Sequence, residues 1–146
     1  MIRNFLFLFF CATALVWGGC SKDDGEGILT SPDAIVGKWQ LVRATEHYKE
    51  DGRWYNDIEY DLETQNEGML YFEIYGSDGI ARYEKYLDGV YSSGIRDEYH
   101  YENGNIYYIG FDATSEVTVL SATKLVYRDY FSEEGEYDES IMKRVE

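Results

Sequence analysis

Asp57, Glu59, Asp61 and Glu63 alternate with Ile58, Tyr60 and Leu62. Side chains at every second position of a strand point the same way, so the four carboxylates would share one face. Such a ladder could collect a hard cation, since Ca²⁺ takes about six to eight oxygen ligands. The Asp-x-Asp-x-Asp-Gly loop with its sharp turn is missing, however, and a solvated outer face accounts for the ladder. A second acidic run, Glu133, Glu134, Glu136, Asp138 and Glu139, reads as a solubilising loop at the last hairpin. His47 and His100 are the only histidines. Neither stands in a His-x-x-x-His pair or beside a cysteine, so no zinc site is expected. There is no Gly-x-Ser-x-Gly word, and no spacing singles out a carboxylate pair for glycosidase work. The expectation is a non-enzyme with no catalytic residue, no metal and no cofactor; a carboxylate-based hydrolase is the weaker alternative.

Tyrosine is the unusual component: 15 residues, in a chain that is 17% aromatic. Tyr83, Tyr86, Tyr91, Tyr99, Tyr101, Tyr107 and Tyr108 crowd the middle of the chain. A phenol offers a flat apolar ring with one hydrogen-bonding tip. Such rings stack on sugars or line a pocket for an amphipathic ligand. Tyr107 and Tyr108 are adjacent, so only one of them can face inward on a strand.

The elements that position these groups are strands. One Pro among 146 residues, with abundant Tyr, favours pleated sheet. Asp51-Gly52, Asp78-Gly79, Asp88-Gly89, Asn103-Gly104 and Glu134-Gly135 punctuate the chain as turns, because Gly accepts a positive φ and Asn or Asp tolerates it. The runs between them alternate. Leu70, Phe72 and Ile74 share one face of their strand and Glu73 takes the other. Eight or nine strands are predicted: 36–46, 53–60, 68–75, 80–87, 94–102, 105–111, 116–121, 124–131 and 137–145. Ser31-Pro32-Asp33 starts a short helical turn, with Ser31 as cap. A meander this long hides its edges best by closing on itself, which gives an all-β, up-and-down antiparallel barrel. Eight strands enclose an interior that is filled by side chains or holds one small ligand. Closure also leaves no edge to pair, which favours a monomer.

The net charge of −15 excludes nucleic acid as a partner, since phosphates would be repelled. The N-terminus carries Arg3, then an apolar run from Phe5 to Trp17. A run of that length spans roughly 20 Å as a helix, short of a ~30 Å hydrocarbon core, so it reads as a signal peptide over 1–19. Val16-Trp17-Gly18-Gly19-Cys20 resembles a bacterial lipobox, departing from it at Trp17, where Leu is usual. The resemblance implies cleavage before Cys20 and a diacylglycerol, with palmitate-type acyl chains, joined to its sulfur through a thioether. One chain holds weakly and two or three hold firmly. Cys11 would leave with the leader, so no disulfide is expected. Ser21-Lys22-Asp23-Asp24 resembles the acidic export tag of lipoproteins displayed on the surface of some Gram-negative bacteria. It implies a lipid-anchored protein of the outer membrane, facing outward, with the periplasmic face as the alternative. Residues 20–30 read as a flexible acidic tether and 31–146 as the folded domain.

Gly37-Lys38-Trp39 opens the first strand. Gly-x-Trp there resembles the signature of lipocalin-like barrels, in which the Trp packs across the closed end. Leu70-x-Phe72 leading to Asp78-Gly79, and Val117-x-x-Leu120-Ser121-x-x-x-Leu125, resemble two hairpins of small bacterial lipocalin-like lipoproteins. Together the three words cover 35–145. Typical lipocalins are longer and end with a packed helix that this sequence lacks. The resemblance implies an Arg over the Trp, with Arg128 and Arg144 as candidates, and Gly37 leaving room for the indole. It also implies a binding module for a small amphipathic ligand or glycan fragment. The candidate lining residues are Leu70, Phe72, Ile74, Tyr83, Tyr99, Tyr101, Tyr108 and Tyr127. The alternative is a filled barrel that binds another envelope protein through its exterior.

Overall fold

The computed structural model describes residues 27–146. A short 3-10 turn, Pro32–Ile35, precedes nine strands: β1 Gly37–Glu50, β2 Arg53–Asp61, β3 Met69–Tyr75, β4 Ile80–Leu87, β5 Val90–Glu102, β6 Asn105–Tyr108, β7 Ala113–Leu120, β8 Lys124–Tyr130 and β9 Tyr137–Arg144. Ser31 occupies the cap position of the 3-10 turn, but its side chain makes no capping bond. All strand pairs are antiparallel, and β9 returns to pair with β1 from Trp39↔Arg144 to His47↔Tyr137. Eight strands, β1 and β3–β9, therefore form a closed antiparallel barrel. Among the described residues no helix is long and apolar enough to cross a membrane.

Turn chemistry accounts for the meander. Asp51-Gly52, Asp88-Gly89 and Asn103-Gly104 each place two successive residues at positive φ. That geometry matches the twist of a two-residue hairpin. At Asp78-Gly79 and Glu134-Gly135 only the Gly is at positive φ, and each sits in a longer loop. β1 and β5 start or end about four residues beyond the predicted spans. β6 stops at Tyr108, where a turn over 109–112 takes over. Asp97 fixes that turn by accepting bonds from the Gly110 and Phe111 amides at 2.7 and 2.9 Å.

One flank of β1 is shared. β3 pairs with its first residues, Gly37 to Gln40, and β2 with its later ones, Arg43 to Glu50. β2 and β3 do not pair with each other. They are joined across this gap by the Tyr60 hydroxyl, which donates to the Met69 carbonyl at 3.0 Å.

The two ends of the barrel differ. At one end Ile35, Trp39, Ile106, Leu120, Leu125 and Met142 are fully or almost fully buried and make a solid plug. The opposite end is formed by the β1–β2, β4–β5, β6–β7 and β8–β9 connections. Trp54, Val90, Tyr91, Phe111, Tyr130 and Phe131 are exposed there. Residues 27–29, the last part of the predicted tether, run beside Leu120 at the plugged end. Their backbone bonds it at 2.9 and 3.0 Å, and Leu29 accepts the Tyr101 hydroxyl at 2.8 Å.

β3 shows which of its faces is inner. Tyr75 is buried in the core, and Glu73 accepts bonds from the hydroxyls of Tyr75 and Tyr127. Phe72 lies on the other face, with Tyr86 edge-on at 5.6 Å and the Lys38 ammonium 4.7 Å from its ring centre. Met69, Tyr71, Glu73 and Tyr75 thus point inward. Leu70, Phe72 and Ile74 point outward. Burial of aromatic bodies together with a bonded carboxylate outweighs burial of three aliphatic or aromatic side chains that find cover in a half-buried outer layer.

Candidate functional site

Above the plug the barrel is hollow. A cavity of about 650 Å³ lies between β1, β3, β4, β5, β8, β9, the end of β2 and the β2–β3 loop. A second chamber of about 540 Å³ adjoins it toward β6 and β7. Tyr83, Ile95 and Tyr127 border both chambers. The larger falls within the ~300–1,000 Å³ of ligand pockets. Its wall is mostly apolar and aromatic: Leu41, Tyr60, Tyr71, Tyr83, Tyr127 and Met142.

Glu73 is the polar centre of this wall. Its two oxygens accept the Tyr127 hydroxyl at 2.5 Å and the Tyr75 hydroxyl at 2.6 Å. The Tyr75 hydroxyl also meets that of Tyr108 at 2.8 Å. Tyr75 has a single proton, so while it donates to Glu73 the Tyr108 hydroxyl must be the donor to Tyr75. Burial pushes the Glu73 carboxyl up to about 7. The two phenol bonds pull it back and the nearby Asp129 charge adds to the rise. Burial likewise raises the Tyr75, Tyr83, Tyr108 and Tyr127 phenols, so they stay protonated donors.

Other carboxylates face the same space. Glu59 borders the larger chamber and Asp129 the smaller, where Asp129 accepts a bond from the Ser115 hydroxyl. Ala44 and Ser140 line the cavity, and strand alternation puts Glu46 and Asp138, which pair directly, on the same inner face. Burial raises Glu59, Asp129 and Asp138. The Asp138 charge adds to the rise at the first two, and the Glu46 charge adds to it at Glu59. Among the described residues Lys85 is the one Lys or Arg bordering either chamber, and its ammonium lies 5.6 Å from the centre of the Tyr71 ring.

The sequence candidates divide. Tyr83 and Tyr127 border both chambers, and Tyr108 the smaller. Phe72 touches the cavity's edge while its ring packs outside. Leu70 and Ile74 do not border either chamber, because β3 turns that face outward. Tyr99 and Tyr101 belong to the packed core; their hydroxyls donate to Gly76 and Leu29 carbonyls. At the plugged end Arg144 lies over the Trp39 ring, 4.2 Å from its centre, and donates to the carbonyls of Ala34, Val36 and Ala122 at 2.6–2.8 Å. The Trp39 indole N–H donates to Ile35 at 2.8 Å. Gly37 has φ +145, and a Cβ there would run into the Arg144 guanidinium and the Glu146 carbonyl. Arg128 is remote from the plug. It sits mid-strand on the outer face, bonded to Glu139 at 3.0 Å and over the Tyr137 ring at 4.6 Å. Register decides between the two, since Arg144 stands directly opposite Trp39. Cys20 lies outside the described residues.

The acidic ladder of β2 does not share one face. A bulge at Ala44/Thr45 breaks the alternation, and the strand ends at Asp61. Asp57 accepts the Tyr48 hydroxyl. Asp61 pairs with Arg43 at 2.7 Å and accepts the Glu63 and Thr64 amides. Among the described residues no three His, Cys, Asp or Glu side chains are grouped to hold a metal ion. His47 and His100 lie stacked on Tyr137 and Tyr107, respectively. Of the adjacent tyrosines, Tyr108 faces in and Tyr107 out. Sequence reasoning missed Glu73, Tyr71 and Tyr60. The available signal was the word Tyr71-x-Glu73-x-Tyr75, a carboxylate between two aromatic rings on one face. No protein-family model matches this chain, and no curated protein matches it.

Proposed function

We propose that this chain is a non-catalytic, lipid-anchored binding module of the bacterial cell envelope, which holds a small amphipathic ligand in its barrel. One observation carries the reading: a hollow of about 650 Å³, walled by tyrosines and aliphatic side chains, with a few fixed polar groups. That combination suits a ligand with an apolar body and one polar end. The lipobox-like word ending at Cys20 supports attachment to the outer membrane through acyl chains.

Native mass spectrometry of the protein extracted from its host tests both parts. The expected result is an N-terminal mass shift of two or three acyl chains on Cys20, together with a retained small molecule that leaves on collisional activation. An unmodified N-terminus overturns the anchor. Failure of the fluorescent probe N-phenyl-1-naphthylamine to enter the purified protein overturns the binding module. Filling the hollow from Ala44 should act oppositely to a structural lesion: Ala44→Phe is expected to lower probe affinity at least tenfold while the thermal midpoint holds.

The filled-barrel alternative does not fit the hollow. What favours an interaction surface instead is the set of exposed side chains at the unplugged end, Trp54, Val90, Phe111 and Phe131 among them. A hydrolase draws on Glu73, whose carboxyl is held near 7, but both its oxygens already accept phenol bonds. Hydrolysis of aryl glycosides that Glu73→Gln abolishes would establish it over the binding reading.

A further inference from the structure

The lumen combines two features that together specify a ligand class. Its wall is aromatic, with Tyr60 and Tyr71 edge-to-face at 5.2 Å and Tyr83 and Tyr108 tilted at 6.1 Å. Its fixed charges are almost all negative. Glu73 sits deep on β3 yet keeps part of its surface open to the hollow. Around it stand Tyr83, Glu84 and Lys85 from β4, Tyr108 from β6, Tyr127 and Asp129 from β8, and, farther off, Glu46, Glu59 and Asp138 from β1, β2 and β9, with Glu67 and Asp112 from the connecting loops. Lys85 is drawn to the Tyr71 face rather than bonded to any of these carboxylates. Among the described residues, the carboxylates bordering the lumen outnumber the single ammonium of Lys85 and leave the interior short of positive charge. A ligand carrying a carboxylate or phosphate would meet repulsion in a low-dielectric space, where charges are screened least. A protonated amine would supply the missing charge, and phenol faces attract cations as well as flat apolar groups.

Resting on the binding-module reading above, we propose that the lumen selects small cationic amphiphiles: a protonated amine seated against the Glu73 carboxylate, with a flat apolar body lying between Tyr71, Tyr83 and Tyr127. Each carboxylate oxygen has lone-pair capacity beyond its single phenol bond, so the amine adds a donor without displacing Tyr75 or Tyr127. Seating a cation favours the ionised form of Glu73. Binding therefore releases a proton wherever free Glu73 is still protonated, and affinity for a cation rises with pH through neutrality.

Three probes of one shape separate charge from fit: tryptamine (cation), 3-ethylindole (neutral) and indole-3-propionate (anion). Each is titrated calorimetrically into the purified full chain in phosphatidylcholine nanodiscs, with empty nanodiscs as blank. At pH 8 tryptamine is expected to bind at least tenfold more tightly than 3-ethylindole, with indole-3-propionate weakest. At pH 5.5 the advantage of tryptamine over 3-ethylindole should shrink at least threefold. In Glu73→Gln it should fall to threefold or less at both pH values, with near-ultraviolet circular dichroism matching that of the unmodified chain to report an intact barrel. Equal or tighter binding of the neutral or anionic probe by the unmodified chain overturns the cation preference and leaves the binding module standing. No binding of any probe at millimolar concentration overturns both.

Discussion

Glu73 is a carboxyl that the fold keeps protonated to unusually high pH, and this has a sign. Its ordinary value is 4.5 and its folded value about 7. Between those limits the folded chain binds more protons than the unfolded one, so stability falls as pH rises from about 4.5 to 7. The loss from this group is of the order of 3 kcal/mol. Asp129 and Asp138, raised by burial, act in the same direction. Glu73→Gln keeps an acceptor and removes the charge. Urea unfolding should show it stabilised at pH 8 and nearly unchanged at pH 5; an unaltered pH slope would refute the assignment. Arg144 makes the opposite kind of contribution. Its flat fork satisfies three carbonyls while covering the indole, a pattern that an ammonium cannot copy. Arg144→Lys is expected to cost about 2 kcal/mol in the same assay. Gly37→Ala, which forces a Cβ against that guanidinium at φ +145, should cost about 1–3 kcal/mol.

Among the elements, β3 carries the main lesson about legibility. Its existence, predicted over 68–75, follows from alternation, and its far limit from the Asp78-Gly79 turn. Its facing does not, because both faces are apolar enough to bury. Leu70, Phe72 and Ile74 outscore Tyr71, Glu73 and Tyr75 on hydrophobicity, yet the second set goes inside because the hydroxyls of Tyr75 and Tyr127 satisfy the carboxylate. A single strand's pattern cannot show partners that arrive from β8. Arg144 was legible only as one of two, since register across β1 and β9 is a long-range property. The turns were legible because Asn-Gly and Asp-Gly carry their geometry locally. The facing of β3 is testable: Tyr75→Ala should cost about 3–5 kcal/mol, and Leu70→Ser or Ile74→Ser no more than about 1.5. Chemical denaturation of the three variants decides it, and a reversed ranking would mean the strand is turned over.

At the scale of the whole molecule, a net charge of −15 on 146 residues presses the barrel apart. Salt relieves that pressure. Raising NaCl from 20 to 500 mM should lift the thermal midpoint by roughly 3–8 °C, as calorimetry would read it. A midpoint unmoved by salt would show that local pairs such as Arg43–Asp61 and Arg128–Glu139 already absorb the excess. Residues 27–29 are bonded to Leu120 at the plugged end. The polypeptide enters the barrel beside the indole cap, at the pole opposite the aromatic rim. Should Cys20 carry the proposed acyl chains, the vessel would stand base-down on its bilayer with its lip turned to the surrounding fluid. Cargo would then arrive from the water side, and the rim would be free to meet whatever delivers it.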